Sequence, residues 1–151
     1  MGEAHIKYGW VRGGKTSVSK PLAASQVFKA RSGRFVYLDG SGNITVADDG
    51  ADEIFGFAEE SERTSNSTAA VEYANIIIDP TAVFRIPVAA GTYAKTMDGK
   101  HCDILIDANG IQGADLTAAA DDVLIVIDGN ATEGWVEVMI NQKERSQSGV
   151  V

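Results

Sequence analysis

Residues 9–16, Gly9-Trp10-Val11-Arg12-Gly13-Gly14-Lys15-Thr16, satisfy the spacing G-x-x-x-x-G-K-[ST]. In a phosphate-binding loop this spacing wraps backbone N–H groups around phosphates, the lysine reaches the β/γ oxygens and the hydroxyl holds magnesium. Leu124 to Asp128 adds an apolar run ending in an aspartate of the kind that holds the same metal. The flanks argue against nucleotide chemistry. Such a loop follows a buried strand and opens a helix. Here eight mixed residues precede Gly9, and Ser17-Val18-Ser19-Lys20-Pro21 is β-branched, serine-rich and closed by proline. The alternating β and α units of the surrounding parallel sheet are missing as well. A flexible basic arm rich in glycine accounts for the motif better.

The remaining reactive residues form no constellation. His101 and Cys102 are adjacent, so on a strand they face opposite sides, and only His5 is left to join them. Zinc asks for three or four ligands at close spacing, and a cysteine nucleophile asks for a base and an orienting group. One side chain in the core and one at the surface is the expectation. Asp39-x-Ser41-x-Asn43 opens like a calcium loop, yet Ile44 stands where the glycine belongs and Gly50 where the bidentate glutamate belongs. Asp48, Asp49, Asp52 and Glu53 read as a solvated turn. No carboxylate pair is singled out for glycoside hydrolysis, and aromatic residues for stacking sugars are few, at 7%. Asn43-Ile44-Thr45, Asn66-Ser67-Thr68 and Asn130-Ala131-Thr132 are sequons by pattern alone. The expectation is a protein that is not an enzyme, with no cofactor and no metal.

The 151 residues make one domain's worth of chain, with 16 Gly, one Cys and a net charge of -8. A single cysteine makes no internal disulfide, which argues against a disulfide-stapled secreted scaffold. No apolar run approaches the ~20 residues of a membrane helix, and the first residues lack the apolar core of a secretory signal. The charge is unevenly distributed. Residues 1–38 hold seven basic groups and one acid, while residues 39–142 hold nineteen acids and four bases. A basic segment ahead of an acidic body complements an acidic partner, or folds back on the body itself. The acidic body disfavours direct nucleic-acid binding.

These residues must be positioned by strands. Arg34-Phe35-Val36-Tyr37-Leu38, the turn Asp39-Gly40-Ser41-Gly42-Asn43 and Ile44-Thr45-Val46 predict a hairpin. Further strands are expected over Ile54–Ala58, Val71–Ile78, Val83–Val88, Cys102–Ile106, Val123–Ile127 and Trp135–Ile140, the last two closing a hairpin at Asp128-Gly129-Asn130. Pro87 argues for an edge or a bulge. Leu22–Lys29 and Leu116–Asp122 are long enough for a helical turn or two but show no sustained 3.6 period. The reading is all-β, a compact β-barrel or β-sandwich with an extended N-terminal arm. Residues 1–32 are the expected arm, 33–142 the domain and 143–151 a flexible tail.

Taken together, Gly33 to Gly42, Ile44-Thr45-Val46, Ile54-Phe55-Gly56-Phe57-Ala58, the strand Val83–Val88 and Gly134-Trp135-Val136-Glu137-Val138 resemble the small β-rich decoration (cement) proteins of tailed-bacteriophage heads. The likeness spans roughly residues 20–142 and rests on turns and apolar positions. It implies a structural virion protein on the outer surface of the capsid, made in the host bacterial cytoplasm. Such a protein stabilises the shell by bridging neighbouring major capsid subunits, commonly as a homotrimer. The implied contacts fall on the basic arm: Tyr8 and Trp10 as anchors, with Arg12, Lys15, Lys20, Lys29 and Arg31. The implied partners are the major capsid protein and neighbouring copies of the chain, with no direct nucleic acid and no membrane. The alternative is a carbohydrate- or receptor-binding β-module using loops 59–68 and 107–115.

Overall fold

A computed structural model describes residues 6–144, and strands make up almost all of its regular structure. In the first half these are β1 (Gly9–Arg12), β2 (Ser17–Pro21), β3 (Val27–Phe28), β4 (Phe35–Leu38), β5 (Ile44–Val46), β6 (Gly56–Glu59), β7 (Arg63–Thr64) and β8 (Tyr73–Ile77). The second half holds β9 (Val83–Ala90), β10 (His101–Ile106), β11 (Gln112–Asp115), β12 (Leu124–Asn130) and β13 (Trp135–Ile140). Two short 3-10 turns, Lys95–Met97 and Gln142–Glu144, complete the inventory. The chain is all-β, as its β-branched and aromatic runs between Gly, Asn and Asp clusters dictate.

Strands β9, β11, β10, β12 and β13 pair in that order, and β13 returns to β9, so the sheet closes into a five-stranded barrel. Of the two architectures expected, the barrel is the one formed. Closure leaves its five strands no free edge between them. β9 nevertheless accepts a sixth strand. Its one edge is shared lengthwise, with β1 opposite Val83–Arg85 and β11 opposite Val88 and Ala90. Pro87 sits at this handover. Val88 donates its N–H towards β13, to Gly134, so the nitrogen of Pro87 faces the other edge, between the two partners. The missing donor therefore costs no ladder bond.

A second sheet, β2-β8-β6-β4-β5, is antiparallel throughout. A bridge from Leu22 to Ile44 and a hydrogen bond from Ala23 N–H to the Ile44 carbonyl bring the end of β2 beside β5 and curl the sheet. Consecutive residues on its strands are buried on opposite faces. Val36, Ala58 and Ile76 join Leu22, Phe28 and Ile44 inside the curl. Phe35, Phe57 and Ile77 face the barrel and share its core with Phe84, Ile86, Val136 and Val138. Phe57 stacks on Phe84 with centroids 4.4 Å apart, and Phe35 meets both edge-on at 4.9 and 5.4 Å.

One polar side chain lies within this apolar seam. Gln112, 1% exposed on β11, accepts from the Phe35 N–H at 2.8 Å and donates to the carbonyls of Phe35 at 3.0 Å and Ala47 at 2.8 Å. Its backbone N–H donates to Ser32 Oγ, and its carbonyl accepts from Gly33. A Cβ on Gly33 would stand 2.6 Å from the Gln112 amide oxygen, so only glycine lets the two segments approach this closely.

The structure redraws several boundaries. Of the arm expected over 1–32, residues 1–5 lie outside the described residues, and residues 6–32 are extended but integrated into the fold. β1 pairs with β9, β2 with β8 and β3 with β7. Leu22 and Phe28, at 1% and 2% exposure, supply the apolar surface that holds this segment down. Leu22–Lys29 and Leu116–Asp122 form turns and the short β3 rather than helix. Of the tail expected over 143–151, residues 145–151 lie outside the described residues.

Replacing Gln112 with leucine keeps the volume but takes the partner from two buried backbone groups, the Phe35 N–H and the Ala47 carbonyl, each worth about 1–3 kcal/mol, while the Phe35 carbonyl keeps the Ala47 N–H. Urea unfolding of Gln112→Leu is expected to show a loss of about 2 kcal/mol or more; a loss below about 1 kcal/mol would show that the amide does not join the sheets.

Candidate functional site

Where the curled sheet meets β1, a cleft of about 430 Å³ opens between Lys7, Tyr8, Trp10, Lys15, Arg34 and the Glu59–Ser61 segment. Gly9, Phe57, Ala58 and Ile77 also line it. β1 and β6 position these walls. β1 is held on β9 with Trp10 opposite Phe84, and β6 lies between β4 and β8. Trp10 is half-buried, and its indole N–H donates to the Gly14 carbonyl at 3.0 Å, which fixes the ring. Lysine cations lie over it from two directions of the sequence, Lys15 at 5.0 Å and Lys7 at 6.0 Å from the ring centroid. Arg31 lies 5.5 Å from the centroid of Tyr8. These are cation–π distances.

In the cleft an ion-paired cation, Lys15, stands beside Arg34, which has no ion pair among the described residues. Lys15 Nζ is 2.7 Å from Glu59 Oε2, and Asn75 donates to the other oxygen. Lys15 first, then Asn75, hold the Glu59 carboxyl below its ordinary value. Glu60 is engaged by Arg63, which also bonds Glu72. Arg34 donates through Nη2 to the Lys29 carbonyl, while its Nε–H is buried with no hydrogen-bond partner among the described residues. Burial pulls the Arg34 guanidinium below its ordinary range, against the opposing pull of Glu60 and Glu62.

The structure therefore gathers Tyr8, Trp10 and Lys15 around one cleft, with Arg31 beside Tyr8. It does not bring in the other expected contact residues. Arg12 turns to Glu137, a nearly buried carboxylate that also holds Arg85, and Arg85 stacks on Trp135 at 4.0 Å. Lys20 sits on β2 opposite Ala74. Lys29 lies against the 107–111 turn, its Cε 3.1 Å from where a Gly110 Cβ would stand. Arg34, Lys7 and the β6 residues were not legible as site residues. Nothing in the local pattern of β4 says that Arg34 shares a wall with a strand more than twenty residues earlier.

The phosphate-loop spacing has a structural explanation. Thr16 leads into strand β2, not a helix. The Asp79–Thr81 turn occupies the place a phosphate would take: Thr81 Oγ1 accepts from Gly14 N–H at 2.8 Å, and Asp79 Oδ2 from Thr16 N–H at 3.2 Å. A Cβ on Gly13 would fall 2.0 Å from the Thr81 carbonyl, and one on Gly14 would fall 2.1 Å from the Asp79 carboxylate. Gly13 also has a positive φ of 88°. The glycine pair thus serves close packing of two chain segments.

Other candidates resolve similarly. Asp39, at the head of the calcium-like stretch, accepts from the N–H groups of Ser41 and Asn43 and so caps its own hairpin turn. A second cleft of about 470 Å³ beside it carries Asp39, Asp48, Asp52 and Glu53. Among the described residues, no group of three or more His, Cys, Asp or Glu is placed to hold a metal. His101 is exposed and Cys102 buried, on opposite faces of β10. Of the loops proposed for glycan contact, 107–115 is largely turn and strand β11, with Gln112, Gly113 and Ala114 buried.

Two outcomes follow. Burial, then Asp103 and Asp115, push the Cys102 thiol up to about 12, and thiolate is the reactive form. Folded protein at pH 8 is therefore expected to resist iodoacetamide, with mass spectrometry showing alkylation only after denaturant; rapid labelling of the native state would contradict the placement. Asp79 is held near 2 by hydrogen bonds from Thr81 and Thr16, so its stabilising contribution is present above about pH 4 and fades as pH falls towards 2. The stability gap between wild type and Asp79→Asn in urea is expected to narrow between pH 7 and pH 2.5; a constant gap would overturn this role. Among known proteins, no family model and no curated sequence matches this chain.

Proposed function

We propose that the chain is a structural protein of a tailed-phage head that binds the outer surface of the capsid and stabilises it by bridging neighbouring major capsid subunits. The observation that carries the reading is the cleft itself. On a chain of net charge -8 it collects Lys7, Lys15 and Arg34 around Trp10 and Tyr8, and aromatic and arginine side chains in a partly desolvated recess are what binding hot spots consist of. The resemblance of residues 20–142 to head-decoration proteins supplies the class of partner. A closed barrel sharing one core with a curled sheet suits a clamp that must hold its shape under load. Assembly as a homotrimer, virion localisation and the absence of enzymatic chemistry belong to this proposal. Many identical copies on one shell multiply a modest single contact through avidity.

The alternative of a carbohydrate- or receptor-binding module has less support, because strand β11 takes up residues 112–115 of loop 107–115 and buries three of them, and Trp10 is overlaid by two lysines.

Sedimentation of the purified protein with heads assembled from the cognate major capsid protein tests the reading. Wild type is expected to pellet with heads, and Trp10→Ala combined with Lys15→Glu to lose at least about ten-fold in apparent affinity. Light scattering is expected to show a trimer of the 16.0 kDa chain. Wild type that stays in the supernatant, or that binds a glycan array instead, would overturn it.

A further inference from the structure

The cleft wall carries a guanidinium whose donors the fold uses only in part. Arg34 reaches it from β4's N-terminal flank, anchored at one end by the Nη2 bond to Lys29, and its buried Nε–H has no acceptor among the described residues. A buried donor without a partner is costly, and guanidinium presents its donors in a planar fork matched to a carboxylate. The two acids in the wall do not meet this need: Glu59 is taken by Lys15 and Asn75, Glu60 by Arg63. Lys7 adds an exposed ammonium over the Trp10 ring. The lining also offers apolar and aromatic contact surface from Phe57, Ile77, Trp10 and Tyr8.

We propose that this cleft is a receptor for a carboxylate-bearing extended peptide segment, whose Asp or Glu side chain accepts from Arg34 while a neighbouring apolar or aromatic side chain packs on Trp10 and the cleft lining. On the reading above, on which the choice of partner rests, the segment belongs to the capsid subunit. A peptide is favoured over a nucleic acid because residues 39–142 carry nineteen acids against four bases and repel a polyphosphate. The recess, about 430 Å³ and open to solvent, has room for one or two side chains.

The two tryptophans of the chain are Trp10 and Trp135, so a Trp135→Phe background leaves Trp10 as the single indole reporter. The probe is the capped hexapeptide GEYDLG, compared with its uncharged twin GQYNLG and with a thymidine octanucleotide. Titration is followed by indole fluorescence and by the indole N–H resonance. The acidic peptide is expected to shift Trp10 saturably and to bind more weakly as salt is raised. Arg34→Gln is expected to weaken it about ten-fold or more, and Arg34→Lys, which keeps charge but loses the fork, to recover part of that loss. Circular dichroism and the urea midpoint show whether each variant is folded; if Arg34→Gln is not, Lys7→Glu on the exposed rim carries the test, with weakened peptide binding expected. Equal binding of the uncharged twin, equal or tighter binding of the oligonucleotide, or a Trp10 signal indifferent to every probe would overturn the proposal. Capsid sedimentation separates it from the reading beneath it. Peptide binding without capsid binding refutes the capsid role and keeps the carboxylate receptor; capsid binding undisturbed by Arg34→Gln does the reverse.

Discussion

The two halves of this molecule meet around one buried amide. Gln112 satisfies the Phe35 N–H and the carbonyls of Phe35 and Ala47, so the barrel's parallel strand β11 supplies the hydrogen bonds that the curled sheet lacks at the junction. Around it, Phe35, Phe57 and Phe84 pack ring against ring. The arrangement is mutually dependent. The aromatic seam excludes water, which makes an unmet backbone group expensive, and the amide meets those groups and thereby permits the seam. Gly33 is part of the same constraint, because any side chain there would collide with the amide.

The cleft inherits its shape from this junction. β6 carries Phe57 into the seam and, two residues on, Glu59 to the cleft rim; β4 carries Phe35 into the seam and Arg34 to the cleft wall. β1 closes the other side because it occupies the part of the β9 edge that β11 leaves vacant before Pro87. The floor of the site rests on strands, through Trp10, Phe57, Ala58 and Ile77, while Lys7, Tyr8, Lys15 and Arg34 stand on the segments that flank them. That suits recognition of a fixed surface better than accommodation of many ligands.

The charge asymmetry of the chain is resolved in two ways at once. Part of the basic N-terminal segment folds back on the acidic body, through Arg12 with Glu137 and Lys15 with Glu59. The Lys15 pair is half-exposed and worth little by itself, about 0.2–1 kcal/mol. The Arg12–Glu137–Arg85 group is different, because Glu137 is nearly buried and both guanidiniums pair with it there. Of the other basic residues of the segment, Lys7 and Arg34 stand at the cleft beside Trp10 and Tyr8.

Eight of the thirteen strands were legible in the sequence; β1, β2, β3, β7 and β11 were not. Of those eight, Ile44–Val46 and Trp135–Ile140 fall where alternation and flanking turn residues put them, and the other six differ by a few residues at their ends. The all-β class was legible too, because β-branched runs between glycine and asparagine clusters leave little else to build. The all-β character and the separation of His101 from Cys102 follow from period-2 geometry, which is local. The roles of Gly13, Gly14, Gln112 and Arg34 do not. Gly13-Gly14-Lys15-Thr16 has the letters of a phosphate loop, and only the Asp79–Thr81 turn lying 67 residues away shows that its N–H groups are already taken. Residues 6–32 look like a separate arm because their apolar residues are sparse, yet Leu22 and Phe28 are enough to bury the segment once the curled sheet provides a core for them. Local propensity decided which residues become strands; which strands share an edge, which polar groups are satisfied and which cations remain exposed to a partner were decided by long-range packing, because each depends on atoms brought together only when the barrel closes.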